Sequence, residues 1–185
     1  MTPTNLNIEQ LVQACKSGNK LAQLEIYNRY YKAMYNTSVR IVKDRFEAED
    51  IMQDSFLMAF TKLDTLKDLT LFGSWLKRIV VNNSIYHYNK NLKKHEENID
   101  AILYKVEAKN EDETHFDFTN LRAREILTTM KTLKDSYRVA LTLNLIEGYD
   151  NEEISDIMNI TNANCRTLIS RAKDSLRKKL QISQA

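Results

Sequence analysis

Three glycines and one proline in 185 residues constrain this chain more than any single motif. Average usage would supply roughly 13 and 9. Sheets need turns, and turns draw on Gly and Pro for backbone angles that other residues resist. A β-sandwich, a β-barrel or a glycine-cradled nucleotide fold is therefore disfavoured, and the chain is expected to be all-α. Hydrophobic residues at 43% and charged residues at 28% suit a soluble, folding chain rather than a disordered one. The length suits one large domain or two small ones.

Several function classes fall away early. Cys15 and Cys165 stand far apart with no CxxC or Cys/His spacing, which disfavours a zinc site and excludes a disulfide framework. No cofactor or metal is expected. No apolar run approaches the ~20 residues of a membrane span, and MTPTNLNIEQ lacks the basic and apolar regions of a signal peptide. No membrane insertion is expected, and the expected location is cytoplasmic. No HExxH, no di-iron Glu-x-x-His pair, no Ser/His/Asp order and no phosphate loop supports an enzyme.

The net charge of +2 hides an uneven distribution. Residues 1–92 carry 12 basic and 9 acidic side chains, residues 93–122 carry 5 and 8, and residues 123–185 carry 10 and 8. The acidic middle stretch has weak periodicity and reads as a linker, with one helical turn around Ile99–Val106. It is either a polar tether between two modules or a solvated loop with no role. From Arg166 to Lys179 six bases (Arg166, Arg171, Lys173, Arg177, Lys178, Lys179) face one acid, Asp174. That is a footprint for a polyanion, although basic helix ends also suit the helix dipole.

Residues 124–147 read as one amphipathic helix or two short ones, with Ile126, Leu127, Met130 and Leu133 in one apolar row and Val139, Ala140, Leu143 and Ile146 in another. Gly148 supplies a stop. Asp150 with Glu153 resembles a capping box. A short helix burying Ile154, Ile157 and Met158 follows, and Asn159 tolerates a left-handed turn. Thr161 caps a longer helix that lines up Cys165, Ile169, Ala172 and Leu176. Short helix, turn and longer basic helix form a helix-turn-helix. In that motif the second helix enters the major groove. Asn162, Asn164, Arg166 and Thr167 sit near its N-terminus, and Asn and Arg pair bidentately with adenine and guanine edges. Arg171 and Lys173 suit phosphates. A plain three-helix core with a solvated basic face explains the same residues less fully.

The N-terminal half predicts three helices. The first, 19–43, sets Leu21, Leu24, Tyr27, Tyr31, Met34, Ser38 and Ile41 at 3/4 spacing; packing is favoured over base stacking for its tyrosines. The second, about Phe46–Leu63, buries Ala48, Ile51, Met52, Ser55 and Ala59. Its opposite face carries Glu47, Asp50, Gln53, Asp54 and Leu57, which is either a solvated stripe or, being the wrong sign for DNA, a protein docking face. After the loop Asp64–Thr70, a third helix, about Leu71–Lys90, interleaves aromatic and amide residues with bases. That mixture suits unstacked single-stranded DNA, where rings stack on bases and amides read edges. Core packing explains Phe72, Leu76 and Ile79 equally well.

Three segments carry a resemblance. Glu47-Ala48-Glu49-Asp50-Ile51-Met52-Gln53-Asp54-Ser55-Phe56 resembles the AEDLxQExF signature of region 2 in bacterial sigma factors. Phe72-Gly73-Ser74-Trp75-Leu76-Lys77-Arg78-Ile79-Val80-Val81-Asn82 resembles the FxxWLxxIAxN that follows it. Glu147-Gly148-Tyr149-Asp150-Asn151-Glu152-Glu153-Ile154-Ser155, through to Ser170-Arg171-Ala172-Lys173, resembles region 4. Two regions in this order and no others resemble the extracytoplasmic-function (ECF) class, the RNA polymerase sigma factors of the sigma-70 family.

The resemblance implies two small helical domains, a region 2 helical bundle (1–92) and a region 4 helix-turn-helix (123–185), joined by a flexible linker (93–122). It implies that Glu47, Asp50, Gln53, Asp54 and Leu57 bind core RNA polymerase at the β′ clamp helices, with the β flap a further contact. It implies that Lys67, Trp75, Lys77, Arg78, Asn82, Asn83, Tyr86, Asn89 and Lys90 capture and melt the minus-10 element. Asn162, Asn164, Arg166, Thr167, Ser170, Arg171 and Lys173 would read the minus-35 element, the linker would thread through polymerase, and an anti-sigma factor would hold the protein inactive. The chain departs from the family at Tyr86 and Asn89, where Asp and Arg are usual, at Leu168, and at Lys134 in place of a helix-opening proline. The alternative is a stand-alone helix-turn-helix regulator that binds duplex DNA as a dimer. Such a regulator would use the N-terminal module to bind a ligand or dimerise, and this chain shows neither a Gly-rich pocket nor a heptad seam.

Overall fold

The computed structural model describes residues 6–97 and 121–182, and every regular element among them is helical. Two compact units form, one within Met1–Lys90 and the other within Asn91–Ala185. The first contains α1 (Ile8–Lys16), α2 (Lys20–Val42), α3 (Arg45–Thr61), two 3-10 turns (Leu63–Thr65 and Leu69–Leu71) and most of α4 (Phe72–Glu97). The second contains α5 (Leu121–Lys131), α6 (Asp135–Leu141), a π-helical turn (Thr142–Ile146), α7 (Asn151–Met158) and α8 (Asn162–Ile182).

Helix α1 is absent from the sequence reading, which begins its first helix at residue 19. Its signal is a reciprocal cap: the Gln10 N–H donates to Asn7 Oδ1 at 2.9 Å, and the Asn7 N–H donates to Gln10 Oε1 at 3.1 Å. Gly18, at φ 80°, then turns the chain so that Asn19 can accept from the N–H groups of Leu21 and Ala22 and open α2. The expected apolar row of α2 is out of register over its first turns. Leu21 is 68% exposed and Leu24 is also exposed, while Ala22 and Ile26 take the core positions. From Met34 onward the expected row holds, with Met34, Ser38 and Ile41 buried.

Lys43 adopts a left-handed conformation without being glycine (φ 69°), which reverses the chain between α2 and α3. Asp44 caps α3 by accepting from the Glu47 N–H at 2.8 Å. The buried face of α3 is the expected one: Ala48, Ile51, Met52, Ser55 and Ala59, joined by Phe56. Of these, Met52, Phe56 and Ala59 pack with Leu11, Val12, Ile26, Phe72, Leu76 and Val80 into one core, rimmed by Tyr27, Tyr30, Tyr31 and Trp75. The tyrosines make ring contacts there, Tyr27 with Phe56 at 4.9 Å and Tyr30 with Phe72 at 5.4 Å, as expected for packing residues. Helix α4 extends beyond the expected Lys90 to Glu97, into the stretch read as linker. The expected helical turn at Ile99–Val106 lies outside the described residues.

In the second unit α8 packs against α5, α6 and α7. Met130, Leu133, Leu141, Ala172 and Leu176 form the shared core, and Ile154, Cys165 and Ile169 are also buried. The 124–147 stretch resolves into two helices and a π turn, in which the Glu147 N–H reaches back to the Thr142 carbonyl. Lys134 opens α6 at φ −52°, within the range that proline would fix. Asp150 and Glu153 form the expected capping box, Asn159 takes the left-handed turn at φ 52°, and Thr161 Oγ1 accepts from the Asn164 N–H. The short helix, turn and long helix of a helix-turn-helix are all present.

Candidate functional site

Three faces carry the residues singled out in the sequence. On α3, Ala48, Ile51, Met52 and Ser55 point inward, so Asp50, Gln53, Asp54 and Leu57 project outward together. Leu57 is 66% exposed. Glu47 stands at the edge of that face, half-buried, with its Oε1 3.2 Å from Nδ1 of His87 on α4. Phe46, 81% exposed at the start of α3, lies on the same face and is not among the residues that the sequence reading places there.

On α4, at about 100° per residue, Trp75, Arg78, Asn82, Tyr86 and Asn89 fall within one face. Arg78, Asn82 and Tyr86 are exposed, while Trp75 and Asn89 are half-buried. Trp75 leans on Phe72 at 5.9 Å. Tyr86 is 65% exposed and meets His87 edge-on at 5.7 Å. Lys90 is exposed one position further round. Two residues grouped with these in the sequence face elsewhere. Lys77 lies about 140° round the helix from the Asn82 line and is half-buried. Asn83 is turned toward α3, where its Nδ2 donates to Ser55 Oγ at 2.9 Å. Before α4, Lys67 is exposed in a loop shaped by Asp68. The Thr70 hydroxyl (2.6 Å) and N–H (3.0 Å) donate to that carboxylate and hold it below the usual range.

On α8, the buried line Cys165, Ile169, Ala172 and Leu176 turns Ala163, Thr167 and Ser170 outward as a strip of small side chains. Arg166 and Arg177 flank it on one side, and Asn164, Arg171 and Lys178 flank it on the other. Small residues on a helix permit close approach to a duplex, and cations flanking them suit its backbone. Asn162 and Lys173 lie nearer the core and are half-buried, and the Asn162 Oδ1 is shielded with no hydrogen-bond partner among the described residues. Thr167 Oγ1 donates to the Ala163 carbonyl at 3.0 Å. One base of the C-terminal run serves the fold: Lys179 Nζ donates to the Thr132 carbonyl at 2.7 Å and to its Oγ1 at 3.0 Å, which closes the end of α5. The Asp174–Arg177 pair at 2.8 Å is fully on the surface and contributes little.

Both thiols are buried, and burial pushes Cys15 up to about 11 and Cys165 upward as well. Among the described residues no group of three or more His, Cys, Asp or Glu could hold a metal ion. No described helix is long and apolar enough to cross a membrane.

The family model for sigma-70 region 2 matches residues 26–94, and that for sigma-70 region 4 matches residues 123–176. The ECF RNA polymerase sigma factor SigM of Bacillus subtilis (strain 168) is 30% identical over 154 residues, covering 83% of this chain and 91% of that protein. SigW of the same organism is 28% identical over 187 residues, covering 94% of this chain and 97% of that protein. The fold resembles that of the sigma factor RpoE solved with the anti-sigma factor NepR from Bartonella quintana, at a TM-score of 0.58 and 19% identity over 85% of this chain and 96% of that one. It also resembles CnrH in complex with the cytosolic domain of CnrY, at a TM-score of 0.55 and 20% identity over 95% and 97%. Two sigma-70 regions in order, on two helical units, place this chain in the ECF family of RNA polymerase sigma factors.

Proposed function

We propose that the three faces divide the work of this sigma factor in promoter-specific initiation. The outward face of α3 (Asp50, Gln53, Asp54 and Leu57, with Glu47 at its edge) docks on the β′ clamp helices of core RNA polymerase. The Lys67 loop and the α4 face hold the minus-10 strand: Tyr86 and Trp75 offer rings, Asn82 and Asn89 offer amides, and Arg78 and Lys90 offer charge. The outward strip of α8 lies in the major groove of the minus-35 element, where Asn164 and Arg166 reach base edges and Arg171 and Lys173 reach phosphates. The domain limits 1–92, 93–122 and 123–185 belong to this proposal, as do a contact with the β flap and a tether threading through polymerase.

One observation carries the reading. The acidic face and the basic, amide-rich faces lie on different helices, so polymerase and DNA need not compete for one surface. The complex of the similar RpoE with an anti-sigma factor supports an anti-sigma partner here too. A cytoplasmic location fits a polymerase subunit. The stand-alone regulator is not favoured, because the N-terminal unit matches sigma-70 region 2. Transcription profiling after overexpression yields candidate promoters, and run-off transcription from them with core enzyme tests the reading. Promoter-specific transcripts are expected, and their absence at every candidate would sink it.

A further inference from the structure

On α3, Phe46 is 81% exposed and Leu57 is 66% exposed. A single exposed leucine is ordinary; these two large apolar groups share one helix face. Eleven residues at about 1.5 Å each put them about 16 Å apart along the axis. Asp50 and Gln53 lie between them on the same line, with Asp54 beside it, all exposed. From Phe46 to Thr61 the helix carries Glu47, Glu49, Asp50 and Asp54 and not one cation. The charge repels DNA and a second copy of the same face. It favours a partner surface that is basic in its middle and apolar at both ends.

We propose that Phe46 is an affinity-determining anchor for core RNA polymerase, paired with Leu57 across the acidic middle of α3. The proposal rests on the reading that this face docks polymerase, and it adds the geometry of the contact. Helices that cross at about 50° touch over a short stretch, whereas a crossing near 20° keeps contact over several turns. Covering both Phe46 and Leu57 therefore requires a polymerase surface that runs along α3, such as a helix crossing at a small angle, with basic side chains between two apolar pockets. Aromatic side chains are enriched at the core of such interfaces.

Affinity for the host's purified core RNA polymerase, measured by fluorescence titration with the full chain, tests this. Phe46→Ser removes the ring at an exposed site, so its melting temperature is expected to match the wild type. Its affinity is expected to fall about tenfold, the equivalent of one largely buried apolar side chain. Phe46→Leu is expected to restore most of the affinity, and Phe46→Ser combined with Leu57→Ser is expected to lose more than either alone. Asp50→Asn combined with Asp54→Asn probes the underlying reading separately. If that pair weakens binding and Phe46→Ser does not, the anchor is overturned and the docking face stands. If neither weakens binding, the docking face falls with it. A dimer in sedimentation equilibrium that Phe46→Ser dissolves would also overturn the proposal, because the occupant would then be a second copy.

Discussion

Asn83 on α4 donates its amide to Ser55 Oγ on α3 at 2.9 Å, and Ser55 in turn donates to the Ile51 carbonyl at 2.6 Å. This chain ties the helix proposed to hold the minus-10 strand to the helix proposed to hold polymerase. An asparagine read from sequence as a DNA contact is thereby joined to the domain interior. Asn83→Ala is expected to destabilise the first unit by about 1 kcal/mol in urea unfolding and to leave promoter preference unchanged. Asn82→Ala, one residue earlier and exposed, is expected to do the reverse, with stability kept and strand opening weakened. Equal effects of the two on promoter choice would contradict the assignment.

Lys178 and Lys179 adjoin in sequence and divide in role. Lys179 closes the end of α5 through the Thr132 carbonyl, whereas Lys178 is exposed on the outer flank of α8. Lys178→Ala is expected to reduce the salt slope of minus-35 duplex binding by about one without a change in melting temperature. Lys179→Ala is expected to cost about 0.5–1 kcal/mol of stability and to leave that slope nearly unchanged. The log–log salt dependence of binding by holoenzyme separates the two, and identical slopes for both variants would count against the split.

The helix-turn-helix depends on its first cap. Asp150 Oδ1 accepts from the N–H groups of Glu152 and Glu153 at 2.9 and 2.8 Å, while Glu153 closes back on the Asp150 N–H at 3.1 Å. Asp150→Ala is expected to destabilise the second unit by about 1 kcal/mol, with Asp150→Ser recovering most of it. Calorimetric melting of the two variants checks this, and unaltered melting of Asp150→Ala would show that the cap is dispensable.

The buried thiols set an alkaline limit. A Cys15 thiol at about 11 in the fold, against about 9 when unfolded, keeps its proton longer in the native state. The contribution of Cys15 to stability is therefore constant below pH 9 and falls as pH rises from 9 toward 11, where the unfolded chain binds fewer protons. Tyr27, Tyr30 and Tyr35 are pushed up by burial as well and act in the same direction. Urea midpoints between pH 8 and 11 are expected to decline, and less steeply in Cys15→Ala. A midpoint that rises with pH over this range would contradict the burial of these groups.

Much of the fold was legible because helices announce themselves by period and caps. The inward face of α3, the Asp150 capping box, the Asn159 turn and the apolar line of α8 are all strongly periodic or chemically specific signals. The misses have physical causes. Helix α1 is short, and its Asn7–Gln10 cap is a weak signal beside the long α2 that follows. In α2, leucines stand outside at Leu21 and Leu24 because Ala22 and Ile26 pack closer to the neighbouring helices, a choice made by tertiary fit. The left-handed Lys43 has no sequence signal. For the site, residue type singled out α3, α4 and α8, but Lys77, Asn83 and Lys179 show that type alone does not tell an outward polar group from one that braces the fold.

The central claim is that this chain reads promoters as a polymerase subunit and not by itself. Anisotropy of fluorescent promoter DNA, titrated with the full chain in the presence and absence of core RNA polymerase at physiological salt, tests it most directly. Sequence-specific binding is expected only with core enzyme present, and weak, salt-sensitive association without it. Tight, sequence-specific duplex binding by the free chain, unchanged when core enzyme is added, would contradict it.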